Sequence, residues 1–137
     1  MSPFAFTSNT CHAPRSASGT CVPASVLPVP ASVDWPEAGG IPEVFTTAHD
    51  ALFTQAKLQP GEHLLVHGGA GGVGTAAIQL GRAAGASVTA TVRNEDLRPE
   101  VEALGARAIA PAGFEEAGPF DVILEQVGAP NLAANVK

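Results

Sequence analysis

A chain of 137 residues, 45% hydrophobic and 15% charged, is long enough to bury the core of one domain and too apolar to be a disordered polypeptide. Its formal net charge of −6, with the basic residues scattered, offers no clustered positive field for nucleic acid or an anionic membrane. No apolar run approaches the roughly 20 residues of a membrane span, and the start lacks the basic-then-apolar order of a signal peptide; a cytoplasmic protein is expected.

Residues 1–21 are rich in Ser, Thr, Ala and Pro without helical or strand periodicity, the pattern of a disordered tail. Cys11 and Cys21 both fall there, with no CxxC spacing and no acidic or histidine-rich neighbourhood, so incidental thiols are expected rather than a metal site or a disulfide. Residues 22–33 alternate proline with Val and Leu, as an extended connector or edge strand does. The folded domain is expected over 34–137. Asp34 is a good N-cap with Pro36 just inside, and helical patterning continues to Lys57; Pro42 is expected to divide it into two helices. Val44, Thr47, Ala48, Ala51 and Leu52 recur at three and four residues and form a stripe fit to pack on a sheet. Gln59-Pro60-Gly61 then reads as a turn.

A regular alternation follows. Strands are expected at 63–67, 87–92, 106–110 and 120–127, helices at 72–84 and 95–104, and a last helix beginning at 134. Strands joined through helices imply right-handed crossovers and a parallel sheet. The fold class is therefore α/β, a partial Rossmann fold with a doubly wound parallel sheet in the order 3-2-1-4. A full dinucleotide fold carries two more strands, so a piece truncated before the last two is expected.

The run from Gly61 to Gly81, GEHLLVHGGAGGVGTAAIQLG, carries the clearest chemistry: an apolar strand feeds a GxGxxG turn that opens a small-residue helix. Gly69, Gly71 and Gly74 occupy the glycine positions, whose jobs are a tight turn, close backbone approach to a pyrophosphate, and close packing of helix on strand. The helix beginning near Gly72 points unpaired N–H groups and its positive dipole end at the phosphates. His63 and His67 share one face of the strand, and with no third ligand near them hydrogen-bonded histidines are favoured over a metal pair. The loop lacks the Lys-Ser/Thr of a P-loop, and neither a GxSxG elbow nor a Cys-His pair supports nucleophilic catalysis. Composition and spacing alone identify no catalytic residue.

Taken together, VLPVPASVDWPEAGGIPEVFTTAHDAL, LQPGEHLLVHGGAGGVGTAAIQLGRAAGASVTATV, EALGARAIA and FDVILEQVG resemble the medium-chain dehydrogenase/reductase superfamily, and within it the zinc-free NADPH:quinone oxidoreductase branch. The resemblance covers residues 22 to 137. It implies a nucleotide-binding domain whose usual companion, a GroES-like barrel supplying much of the substrate cleft, is almost wholly outside this sequence. By motif position, Gly69, Ala70, Gly71, Gly72, Val73 and Gly74 look like the pyrophosphate loop, with the N–H groups of Gly72 and Val73 as donors. Thr47 resembles a threonine lying near the nicotinamide; the competing reading is a buried helix threonine bonded to its own backbone.

Cofactor choice follows from charge, since an acidic residue at the end of the second strand holds the ribose 2′-OH of NAD and an Arg there accommodates the 2′-phosphate of NADP. The chain has Arg93 at that tip, with Arg98 as a second candidate and Glu95-Asp96 arguing against a phosphate pocket; a solvated loop arginine is the plain alternative. NADP(H) is favoured over NAD(H), with no metal. Three functions remain open: an NADPH-dependent oxidoreductase passing hydride to a quinone or an enone- or aldehyde-type acceptor; a non-catalytic NADP(H)-binding module; and an inactive remnant. The expected partners are the dinucleotide and a small-molecule acceptor, with a homo-oligomer left open.

Overall fold

The computed structural model describes residues 28–136. The tail expected over 1–21, both cysteines and half of the 22–33 connector (22–27) lie outside the described residues. The chain divides between Trp35 and Pro36 into two units. In the first, the described residues ahead of Trp35 form no helix or strand and turn where the Val33 N–H reaches the Pro30 carbonyl at 3.1 Å.

In the second unit four parallel strands, β1 (His63–His67), β2 (Ser87–Thr91), β3 (Arg107–Ile109) and β4 (Val122–Leu124), form one sheet in the order β3-β2-β1-β4. This is the expected partial Rossmann arrangement. β1 sits centrally because Leu64, Leu65, Val66 and His67 are buried, the continuous run that a strand covered on both faces requires. Each fully buried aliphatic side chain there contributes about 1.5–3 kcal/mol relative to exposure. The core gathers around Leu64, Val66, Val88, Ala90 and Ile78, with Ala48 and Leu52 packed into the same cluster.

Helices α2 (Gly72–Ala83), α3 (Arg98–Ala103) and α4 (Ala129–Asn135) connect or follow the strands. α2 lies unusually close to the sheet because its inner face is nearly bare. A Cβ on Gly81 would stand 2.8 Å from Leu64 Cδ2 and 3.2 Å from Val88 Cγ2. The other buried α2 residues are Gly74, Ala76, Ala77 and Ile78.

Several boundaries differ from the sequence expectations, each for a local reason. Helix α1 (Trp35–His49) runs unbroken through Pro42. Proline forfeits one N–H bond but already has a helical φ, and residues 39–43 are all exposed, so the helix can bend away from the ring there without disturbing packed neighbours. The hydroxyls of Thr46 and Thr47 also donate to the Pro42 and Glu43 carbonyls of this stretch. α1 leads into a wider π-helical segment, Asp50–Gln55, closed where the Ala56 N–H reaches the Ala51 carbonyl at 3.0 Å.

The expected helix at 95–104 is a 3₁₀ turn (Glu95–Leu97) followed by α3, because the Asn94 side chain accepts from the Asp96 N–H and tightens the start. β4 keeps only three of the eight residues expected, since the chain turns at Glu125. α4 opens at Ala129 rather than 134, with Pro130 in its first turn and Gly128 at φ +100° before it. Among the described residues no helix is long and apolar enough to cross a membrane.

Candidate dinucleotide site

The C-terminal ends of β1, β2 and β4 converge where the chain leaves β1 between its two neighbours, the switch point at which open α/β sheets bind ligands. The glycine loop stands there. The left-handed turn falls at Gly68 (φ +72°), one residue before the position expected to make it. Gly69 serves close approach instead, since a Cβ there would lie 2.6 Å from the Ala90 Cβ of β2, and the loop crosses the strand without room for a methyl group. The Gly69 N–H donates to the Thr91 carbonyl at 3.0 Å, and the Gly71 N–H to the Gly68 carbonyl at 3.0 Å.

Gly74 is the helix-on-loop contact. A Cβ there would press on the Gly68 carbonyl oxygen and come within 2.9 Å of the Gly69 Cα, rigid backbone with nowhere to go. Gly71 is the opposite case. It is extended (φ −81°, ψ 165°), and a Cβ there would meet only the Gly68 carbonyl at 3.3 Å, so its outer side is open. A glycine N-cap also brings no side chain to the helix start, and the first α2 bond runs from the Thr75 N–H to the Gly71 carbonyl at 2.8 Å. The N–H groups of Gly72, Val73 and Gly74 precede it and need an outside acceptor.

This combination of a bare backbone cradle and orphaned donors fits the pyrophosphate of a dinucleotide, an acceptor-rich anion that a side chain would exclude. Gly69 to Gly74 would hold it, and the bound nicotinamide would supply hydride chemistry.

The other candidate residues differ in position. A Cβ on Gly72 would lie 3.0 Å from Val44 Cγ1, so α1 abuts the start of α2. Thr47 is one turn further along that helix; it is exposed rather than buried, and its hydroxyl donates to the Glu43 carbonyl at 2.8 Å. Arg93 stands exposed just past β2, and its side chain has no hydrogen-bond or ion-pair partner among the described residues. Arg98 is engaged instead, with Glu95 at 3.3 Å and the Val92 carbonyl at 3.4 Å. Of the acidic pair that argued against a phosphate pocket, Glu95 is thus directed at Arg98.

Both histidines are hydrogen-bonded. His63 donates from Nδ1 to the Pro119 carbonyl at 2.9 Å and meets the Thr89 hydroxyl through Nε2 at 2.9 Å. His67, fully buried, meets the Thr91 hydroxyl at 3.1 Å and the Asn135 side-chain oxygen at 2.9 Å, with the Phe114 ring packed edge-on. Asn135 donates in turn to Glu125 at 2.9 Å. Partial burial would raise the Glu125 carboxyl, but hydrogen bonds from the Gly128 and Val127 N–H groups and from Asn135 and Asn131 outweigh it and hold the group below the ordinary glutamate value. Sequence reasoning missed Gly68, Thr91, Glu125 and Asn135. Register could have found Thr91, which lies opposite His67 once the strands are paired in parallel.

Known proteins share this arrangement. A quinone oxidoreductase from Thermus thermophilus, solved also with NADPH, superposes with a TM-score of 0.76 at 34% identity, covering 81% of this chain and 39% of that one. The CurK enoyl reductase gives a TM-score of 0.72 at 31% identity over 77% of this chain and 35% of that one. The chain belongs to the medium-chain dehydrogenase/reductase superfamily. Among curated proteins, the compactin diketide synthase of Penicillium citrinum is 49% identical over 74 residues, which is 54% of this chain and 3% of that protein. The chain thus spans little more than a third of the solved relatives' length and a small part of the synthase. No protein-family model matches the chain.

The two glycines separate fold from binding. Gly74→Ala is expected to cost about 1–3 kcal/mol through overpacking, whereas Gly71→Val costs less stability yet removes dinucleotide affinity; thermal unfolding and nucleotide titration of both variants check this. For Glu125, whose folded pKa is depressed, the carboxylate's contribution is fully present above the unfolded value near about 4.3 and is lost as pH falls through the folded value. Wild type should therefore exceed Glu125→Gln by about 1–3 kcal/mol at neutral pH and converge with it in acid, as denaturant unfolding across pH would record.

Proposed function

We propose that this chain is the NADPH-holding portion of a reductase, with hydride passing to the polarised double bond of an enoyl-type acceptor. The observation that carries the reading is the cradle from Gly69 to Gly74, closed to side chains but open at Gly71 and rich in unpaired N–H groups. In such a reaction NADPH gives up a hydride and becomes NADP⁺, while the acceptor takes that hydride and one proton. The protein's own part is orientation: α2 anchors the pyrophosphate and α1, through Val44 and Thr47, borders the side on which the nicotinamide would lie.

Arg93 supports NADPH over NADH, because a guanidinium without a partner among the described residues, just past the end of β2, offers a planar fork to a 2′-phosphate. The enoyl acceptor is supported by the likeness to the CurK enoyl reductase, and a quinone is the alternative that the Thermus protein favours. We place the domain from Asp34 onward, in a cytoplasmic setting and without a metal requirement. Binding and turnover are separate questions for a chain spanning about a third of the solved relatives' length.

A thermal-shift titration tests the cofactor, since a ligand of the folded state raises the midpoint as it exceeds its Kd. NADPH is expected to raise the midpoint well above NADH, and Arg93→Ala to weaken NADPH at least about tenfold with little effect on NADH. Equal responses to both nucleotides would contradict the assignment. NADPH oxidation with an α,β-unsaturated thioester or a naphthoquinone then decides the acceptor, and binding without turnover leaves a nucleotide-binding module.

A further inference from the structure

A continuous hydrogen-bond chain joins the glycine loop to the far end of the described residues. The Gly68 N–H meets the Thr91 hydroxyl at 3.3 Å, that hydroxyl meets His67 Nδ1 at 3.1 Å, and His67 Nε2 meets Asn135 Oδ1 at 2.9 Å. The Asn135 amide then reaches Glu125 Oε2 at 2.9 Å. An ionised Glu125 can only accept, which sets the direction of the bonds as far as His67 Nε2. Asn135 must therefore turn its NH₂ toward Glu125 and its oxygen toward His67. His67 must in turn donate from Nε2, and in the neutral imidazole Nδ1 is then the acceptor. With that imidazole the Thr91 hydroxyl gives its proton to His67 and keeps a lone pair for the Gly68 N–H.

Two further contacts tie the same groups together. Gln126 donates to the His67 carbonyl at 3.1 Å, and the Thr91 carbonyl accepts from the Gly69 N–H at 3.0 Å. His67 and Thr91 are buried, so a lost partner there is not replaced by water without cost.

We infer that Thr91, His67 and Asn135 are positioning residues for the dinucleotide loop: they orient the Gly68 turn through Glu125, so that nucleotide affinity depends on the packing of α4 against His67. The inference rests on the cofactor reading above for its consequence, but the loop geometry it describes exists without the cofactor. α4 joins the loop as part of one polar network, although Asn135 and Gly68 are 67 positions apart in sequence.

Three variants test it in the full chain. Thr91→Val keeps shape and β-propensity but removes the hydroxyl, Thr91→Ser restores the hydroxyl without the methyl, and Asn135→Ala cuts the chain from the far side at a position where alanine favours helix. Amide hydrogen exchange of Gly68 and Gly69, read by NMR without nucleotide, is expected to rise about tenfold in Thr91→Val, to rise about threefold in Asn135→Ala, and to return near wild type in Thr91→Ser. NADPH affinity is expected to fall in the same order. Unchanged loop exchange in Asn135→Ala, or equal exchange in Thr91→Val and Thr91→Ser, overturns the inference. Altered exchange in a chain whose wild type does not bind NADPH supports the positioning of the loop and overturns the cofactor reading instead.

Discussion

Everything at the candidate site depends on how closely α2 can approach the turn that precedes it. The Gly74 Cα faces the Gly68 carbonyl and the Gly69 Cα with no space for a methyl group between them. That contact draws the helix start over the ends of β1 and β2, and Gly81 continues the close approach against Leu64 and Val88 two turns later. A helix held further out by larger residues would still cover the sheet. It would not present its first N–H groups at the switch point.

The loop is also braced from below. Ala90 leaves no room above it for anything but Gly69, and Thr91 takes the Gly68 and Gly69 N–H groups on its hydroxyl and carbonyl. Donors facing inward are thus satisfied by β2, while those of Gly72, Val73 and Gly74 face outward. This division explains why a loop so rich in glycine keeps one shape: the entropy that glycine costs is offset by backbone hydrogen bonds and by packing that excludes alternatives. It also makes the loop a preorganised anion site rather than a flexible one.

The parts of this structure legible in the sequence were those governed by local pattern. The buried run Leu64-Leu65-Val66 marked a central strand, the glycine spacing marked the loop, and alternation of strands and helices led to the sheet order. What escaped was set by contacts distant in sequence or by compensation. Pro42 looked like a helix boundary because its cost is local, while the exposed surroundings that tolerate it are visible only in three dimensions. His67 read correctly as a hydrogen-bonded histidine, but its partners Thr91 and Asn135 lie on a neighbouring strand and on a helix whose start was placed five residues late. The turn residue Gly68 was hidden by the adjacent glycine, since two consecutive glycines do not say which one takes the positive φ.

The central claim is that the Gly71–Gly74 backbone receives the pyrophosphate of a dinucleotide. A ¹H–¹⁵N spectrum of the chain recorded during NADPH addition tests it directly, because amides that donate to phosphate oxygens shift strongly. The largest changes are expected at Gly72, Val73 and Gly74, with smaller ones at Gly71, whose N–H is already bonded to the Gly68 carbonyl, and at Arg93. Saturable changes centred elsewhere, or a spectrum that NADPH leaves untouched, would contradict it.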